Sequence, residues 1–176
     1  MEVGHQGIAD LDTSWLSDTE QRAWRTVHRL RGPLLASIGR QLTRESGLSM
    51  PDYEVLVAVS ESPSGVVHVQ ELLRSTDWEA SRLSHHLTRM QSRGLVGRQP
   101  CASDGRSSEV YLTDVGRTAI ERAAPGHVAA VRTQFIDLLT AEQLFTLAEI
   151  GRLVGESLDG QQNGGGSADE CVAIEP

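Results

Sequence analysis

Apolar residues recur at helical spacing along most of the chain. Trp24, Val27, Leu30, Leu34, Ile38 and Leu42 fall three and four residues apart, which predicts an amphipathic helix running towards Gly47. Ser17-Asp18-Thr19-Glu20 opens it as a capping box. Gly32-Pro33 lies inside this stripe, and because the stripe stays in phase across it, a bend rather than a break is expected. Ser49-Met50-Pro51-Asp52 begins a second helix with a Ser cap, a proline in the first turn and an acid that suits the helix dipole. Tyr53, Leu56, Val57 and Val59 fill that helix, and Ser62-Pro63-Ser64-Gly65 ends it. Val66-Val67-His68 reads as a very short strand, Gln70 to Arg74 as a short helix burying Leu72 and Leu73, and Ser75-Thr76-Asp77 as a turn.

Residues 78 to 116 follow as helix, turn, strand, loop and return strand. Leu83, Leu87 and Met90 mark the buried face of the helix, with His86 beside them, while Ser81, Arg82, Ser84, His85, Thr88 and Arg89 point elsewhere. Gly94 stops the helix, Leu95-Val96 starts a strand, and Val110 and Leu112 alternate on its partner around Tyr111. The loop between them, Pro100 to Ser108, is too long for a tight hairpin and carries Asp104-Gly105-Arg106. Two short helices joined by a turn and followed by such a hairpin form a winged helix-turn-helix. A helix that offers hydrogen-bonding side chains beside an arginine-tipped loop is shaped for two adjacent grooves of DNA.

Beyond the hairpin, Thr113 caps a helix carrying Val115, Ala119 and Ile120, with Pro125-Gly126 expected to break or bend it before Val128, Val131, Phe135, Leu138 and Leu139 resume. Thr140-Ala141-Glu142-Gln143 is a second capping box, leading into Leu144, Leu147, Ile150, Val154 and Leu158. The terminal helices carry more apolar surface than the small lobe can cover, so a second copy of the chain is expected to cover it about a two-fold axis. The expected fold is mainly α, an α+β winged helix with N- and C-terminal dimerisation helices. Its parts are a flexible arm at 1–16, a winged-helix domain at 17–159 and a disordered tail at 160–176. Within the domain, residues 17–47 and 117–159 are the dimerisation helices and 49–116 the DNA-binding lobe.

Charge changes the picture only through its distribution. The formal total is −8, which argues against a nucleic-acid partner. Yet residues 74 to 106 hold six arginines against three carboxylates, a local +3 that leaves −11 elsewhere. Screening over a Debye length of about 10 Å hides the distant acids from a phosphate at contact. No stretch has the roughly 20 apolar residues of a membrane span, and no basic and apolar leader opens the chain, so a cytoplasmic protein is expected. There is no nucleophile elbow, phosphate loop or zinc-protease motif, so no enzyme and no cofactor are expected.

The segment Asp104-Gly105-Arg106-Ser107-Ser108-Glu109-Val110-Tyr111-Leu112-Thr113-Asp114-Val115-Gly116 resembles the wing of the MarR family of winged-helix regulators, matching D-x-R-x-x-x-V-x-L-T-x-x-G at every specified position. Arg93-Gly94-Leu95-Val96 and the order of elements from about residue 17 to 159 are similar to that family as well. The resemblance implies a homodimer with intertwined terminal helices, binding a palindromic double-stranded operator as a repressor and released by a small molecule or an oxidant. It carries DNA contact over to Ser81, Arg82, Ser84, His85 and Arg89 on the helix, and to Asp104 and Arg106 in the wing. Arg74 and Arg98 read as phosphate clamps or surface salt bridges. A ligand pocket is expected between the dimer helices and the lobe, with Trp24, His28, Arg31 and Tyr53 as candidates.

Two other readings compete. One is a winged-helix dimer that binds proteins rather than DNA, which the acidic total favours. The other is a thiol-based redox sensor through Cys101, set at the wing entrance near Arg98 and Arg106. The oxidant sensors of the family keep a reactive cysteine near the first helix, where this chain has none, so an inert loop thiol is expected. No metal site is expected either, because His85 and His86 are adjacent on a helix and His5, His28, His68 and His127 are scattered.

Overall fold

The computed structural model describes residues 15–76, 78–101 and 108–163. The element order is α1 (Asp18–Ser46), α2 (Met50–Ser60), β1 (Val66–His68), α3 (Val69–Thr76), α4 (Ala80–Ser92), β2 (Val96–Pro100), β3 (Ser108–Leu112), α5 (Asp114–Gln134), a 3-10 turn (Ile136–Leu138) and α6 (Ala141–Asn163). The fold is therefore mainly helical with one small sheet. It divides into two compact units, residues 1–124 and 125–176, with the boundary inside α5.

The first unit is the winged helix. Its three strands lie in the order β1-β3-β2, all antiparallel, with Val67 opposite Val110 and Arg98 opposite Val110 on the other side. The core gathers Leu42 of α1, Leu48 of the link to α2, Val55, Leu56 and Val59 from α2, Leu72 from α3 and Leu83, Leu87 and Met90 from α4. Val67, Val96 and Val110 of the sheet and Ile120 and Ala123 of α5 close it. The apolar stripe of α4 is thus the one expected, while Leu73 is only half-buried and Val55, absent from the expected set, is fully buried.

A single node ties the end of α4 to the start of α5. Gly94 leaves the helix at φ 70°, a left-handed conformation that a side chain disfavours. The Thr113 hydroxyl donates to the Gly94 and Leu95 carbonyls and accepts the Gly116 N–H at 3.0 Å, capping α5 in the same contact. A Cβ on Gly116 would stand 1.9 Å from the Leu95 carbonyl oxygen, so this position accepts hydrogen alone. The threonine and glycine of the L-T-x-x-G segment therefore serve the joint between helix and sheet.

Helix α5 runs as one helix through Pro125-Gly126, as α1 does through Gly32-Pro33, where a single continuous helix is expected. A proline removes one donor per helix, and the flanking turns keep their phase. Two expectations about boundaries are corrected. Helix α3 continues through Ser75 and Thr76, whose hydroxyls donate back to the Leu72 carbonyl instead of forming a turn. Helix α6 passes Gly160 and ends at Asn163. The arm up to residue 14 and the tail from residue 164 lie outside the described residues.

In the second unit Thr140 caps α6 with both bonds of the expected box, its N–H to Gln143 Oε1 at 2.9 Å and the Gln143 N–H to its hydroxyl at 3.2 Å. Phe145, Ile150, Leu153, Val154 and Leu158 are all more than half exposed on α6. Trp24, Val27 and Leu30 are likewise exposed on α1.

Candidate nucleic-acid interface

Helix α4 presents Ser81, Arg82, Ser84, His85 and Arg89 as exposed residues and buries Leu83, His86, Leu87 and Met90. The helical period separates the two sets, so one face is free for a ligand while the other is fixed in the core. Asp104 and Arg106 lie outside the described residues, and the strands that carry their loop are β2 and β3.

The two exposed arginines are held from beneath. The Arg82 guanidinium lies 4.7 Å from the ring centre of Trp78, a cation–π contact. Trp78 in turn meets the His86 ring edge-on at 5.2 Å. Arg89 Nη2 lies 3.1 Å from His86 Nδ1. A guanidinium only donates, so this contact requires Nδ1 to accept and places the ring proton on Nε2. Nε2 faces Asp52 Oδ1 at 3.1 Å, close enough for electrostatic attraction though off line for a well-formed hydrogen bond.

Asp52 is the anchor of this arrangement. It is 2% exposed, accepts from Arg93 Nη1 at 2.7 Å and from the Ser49 backbone N–H at 2.9 Å, and faces His86. Arg93 also donates to the Gly47 carbonyl at 3.1 Å. Burial alone raises the Asp52 carboxyl; the Arg93 and Ser49 hydrogen bonds and the Arg93 charge outweigh it and hold the group below the ordinary carboxylate value. Burial lowers His86, and the Arg89, Arg93 and Arg82 charges add to that against the pull of Asp52. Neutral His86 is thus the folded form, in agreement with the tautomer that Arg89 demands.

The sign of the pH dependence follows. A histidine lowered on folding contributes stability that is complete above its unfolded pKa of about 6.5 and is lost as pH falls through the lowered folded value. Protonation would also remove the acceptor for Arg89. NMR titration of the His86 ring is expected to show the Nε2–H tautomer at neutral pH and a midpoint below the ordinary histidine value. A His86 midpoint at or above the ordinary value would overturn the assignment.

Arg98 of β2 reaches across to α4. Its Nη2 donates to the Ser84 carbonyl at 3.0 Å, pinning β2 to α4, and burial lowers its pKa. Cys101 is buried at 6% exposure, and the charged group the structure sets beside it is the Glu109 carboxylate rather than Arg98. Of the ligand candidates, Trp24 and His28 meet edge-on at 4.5 Å on α1 and Arg31 is exposed, but Tyr53 belongs to the core. A cleft of about 530 Å³ lies elsewhere in this unit, between Glu45 and Ser46 of α1 and Asp114, Thr118 and Arg122 of α5.

Asp52, Trp78, His86 and Arg93 were not legible as parts of this site. The one available signal was Ser49-x-x-Asp52, a capping box whose carboxylate had spare acceptor capacity.

Comparison with known proteins agrees with this geometry. The MarR family model matches residues 46–107. The transcriptional regulator HosA of Escherichia coli is 31% identical over 120 residues, covering 68% of this chain and 86% of HosA. The crystal structure of AbsC, a MarR family transcriptional regulator from Streptomyces coelicolor, is 41% identical with a TM-score of 0.79, covering 84% of this chain and 99% of AbsC. That of Sco3205 from the same organism, solved in complex with DNA, is 40% identical with a TM-score of 0.78, covering 82% and 94%. On the winged-helix fold and these relatives together, the chain belongs to the MarR family of transcriptional regulators.

Proposed function

We propose that the protein is a cytoplasmic homodimer that binds a palindromic operator and represses transcription until a small molecule releases it. The observation that carries the reading is the exposed polar face of α4, with Arg82 braced on Trp78 and Arg89 on His86. Bracing of this kind lowers the entropy lost when a long side chain reaches a base or phosphate. The DNA complex of Sco3205, at 40% identity, supports the same use of the lobe. Ser81, Ser84 and His85 supply donors and acceptors for base edges or phosphates, and Arg82 and Arg89 can pair bidentately with guanine. Asp104 and Arg106 complete the interface from the wing, where a guanidinium suits the negative potential of a narrow minor groove.

The exposed apolar residues of α1 and α6 support the dimer, since a second copy would remove them from water. Two-fold symmetry then places half-sites about 10 base pairs apart, centre to centre. The cleft beside Glu45 and Arg122 offers an effector a polar rim at the end of α1, and Trp24, His28 and Arg31 offer a second place on that helix.

The test is fluorescence anisotropy of the full chain against genomic fragments flanking its own gene. Selective binding is expected. Arg89→Ala and Arg82→Ala should each weaken it by about tenfold to a hundredfold. Arg106→Ala should weaken it with a salt slope shallower by about one counterion. No selected fragment at low salt, from a well-folded protein, would refute the reading.

A further inference from the structure

The strand pairing brings together three side chains that the sequence scatters. His68 closes β1 directly opposite Glu109 of β3, and Glu109 stands opposite Gln99 of β2. Cys101 follows Gln99 by two residues, so alternation sends its side chain to the same face. The imidazole, thiol and carboxylate donor atoms all lie within 4.8 Å of one another, with His68 Nε2 at 3.8 Å from Glu109 Oε1. We propose that His68, Cys101 and Glu109 form a binding site for one divalent cation of the zinc type.

The donor set argues for that class of ion. Zinc takes nitrogen, sulfur and carboxylate oxygen at about 2.0–2.3 Å in a tetrahedron, so its donors sit roughly 3.4–3.6 Å apart. The present separations need a closure of about 1 Å, within reach of χ rotation at His68, whose side chain is 49% exposed. Hard cations such as magnesium call for several oxygens and would leave the sulfur unused.

The support around the three donors fits as well. Gln99 Nε2 donates to Glu109 Oε2 at 3.0 Å, which fixes the carboxylate and leaves Oε1 turned to the histidine. Such an outer hydrogen bond orients ligands in metal sites generally. The Cys101 sulfur lies within 4.8 Å of the same carboxylate, so sulfur and oxygen already converge. Cys101 is buried and the Glu109 side chain is 13% exposed, which shields one side, while the half-exposed histidine leaves the fourth position to water.

On binding, the thiol proton leaves to solvent and the metal takes its place between sulfur and carboxylate. Thiolate and carboxylate together neutralise the two positive charges. An ordinary cross-strand His–Glu pair would need no cysteine. The expectation of no metal site rested on spacing along the chain, and the order β1-β3-β2 supplies the proximity that spacing lacks. A bound ion would tie the last residue of β1 to the residue that follows β2, and the site stands whether or not the lobe reads DNA.

The experiment is titration of the chelator-treated full chain with cobalt(II), read by absorption. One equivalent per chain is expected to give an intense thiolate-to-cobalt charge-transfer band and four-coordinate d–d bands, both lost on adding one equivalent of zinc. Cys101→Ser should abolish the charge-transfer band, and His68→Ala and Glu109→Gln should each weaken binding at least tenfold. Cys171→Ser should leave the spectrum unchanged, and circular dichroism of each variant checks that it is folded. Absence of the band in the parent protein, or its survival in folded Cys101→Ser, overturns the proposal.

Discussion

Asp52→Ala is expected to lower the unfolding free energy by about 3 kcal/mol, the cost of stripping a buried charge network of its central anion. The carboxylate is 2% exposed and meets Arg93, His86 and the Ser49 N–H within 3.1 Å. Its removal leaves the His86 Nε2–H without the carboxylate it faces and α2 without half of its capping box. Arg93 softens the loss, because its side chain is 44% exposed and can turn to water. Urea denaturation followed by circular dichroism measures this directly, and a melting temperature lower by about 6 to 12 °C should accompany it. A loss under about 1 kcal/mol would show that the network is not what seats α4.

The same residue sets a pH dependence. A carboxyl lowered on folding contributes stability that is present above its unfolded pKa and lost as pH falls through the folded value. Stability of the parent should therefore decline in acid more steeply than that of Asp52→Ala.

Gly116→Ala should be at least as damaging. The added Cβ would sit 1.9 Å from the Leu95 carbonyl oxygen and 2.9 Å from its carbon. Both are backbone atoms, so no rotamer relieves the contact. Separating them by the necessary ångström and more breaks the Thr113 bonds to Gly94 and Leu95. The usual cost of overpacking is about 1–3 kcal/mol, and a rigid neighbour puts this case at the upper end or beyond. Gly151→Ala is the paired control. It lies within α6 with nothing within 4 Å of the added carbon, and should stabilise that helix by up to about 1 kcal/mol. Equal stability of the two variants would discard the steric argument.

Much of the fold was readable from local pattern because its causes are local. The stripe Leu83, Leu87 and Met90, the Thr140 box and the alternation around Tyr111 each depend on residues a few positions apart. The exposed face of α4 followed from the same period, so Ser81, Arg82, Ser84, His85 and Arg89 were identifiable as exposed before their surroundings were known. What escaped depends on residues far apart in the chain. Asp52 reads as a helix cap until His86 and Arg93 are seen against it. His86 reads as packing until Asp52 of α2 is seen to face its Nε2. Pro125 reads as a break or a bend, and the break is ruled out only by the helical turns that continue on either side of it. Tyr53, offered as a ligand residue for its polar tip, packs its ring in the core.

The Arg93 guanidinium has a mechanical consequence. One nitrogen donates to the Gly47 carbonyl at the close of α1 and another to Asp52 at the start of α2, while the residue itself ends α4. Three helix ends therefore meet at a planar group that cannot stretch. A tilt of α1 therefore pulls, through the Gly47 contact, on a guanidinium that also holds Asp52 and closes α4. The long helix and the short one thus act as arms of a single lever, and an ammonium at position 93, with no fork to hold both arms, would leave the pivot loose.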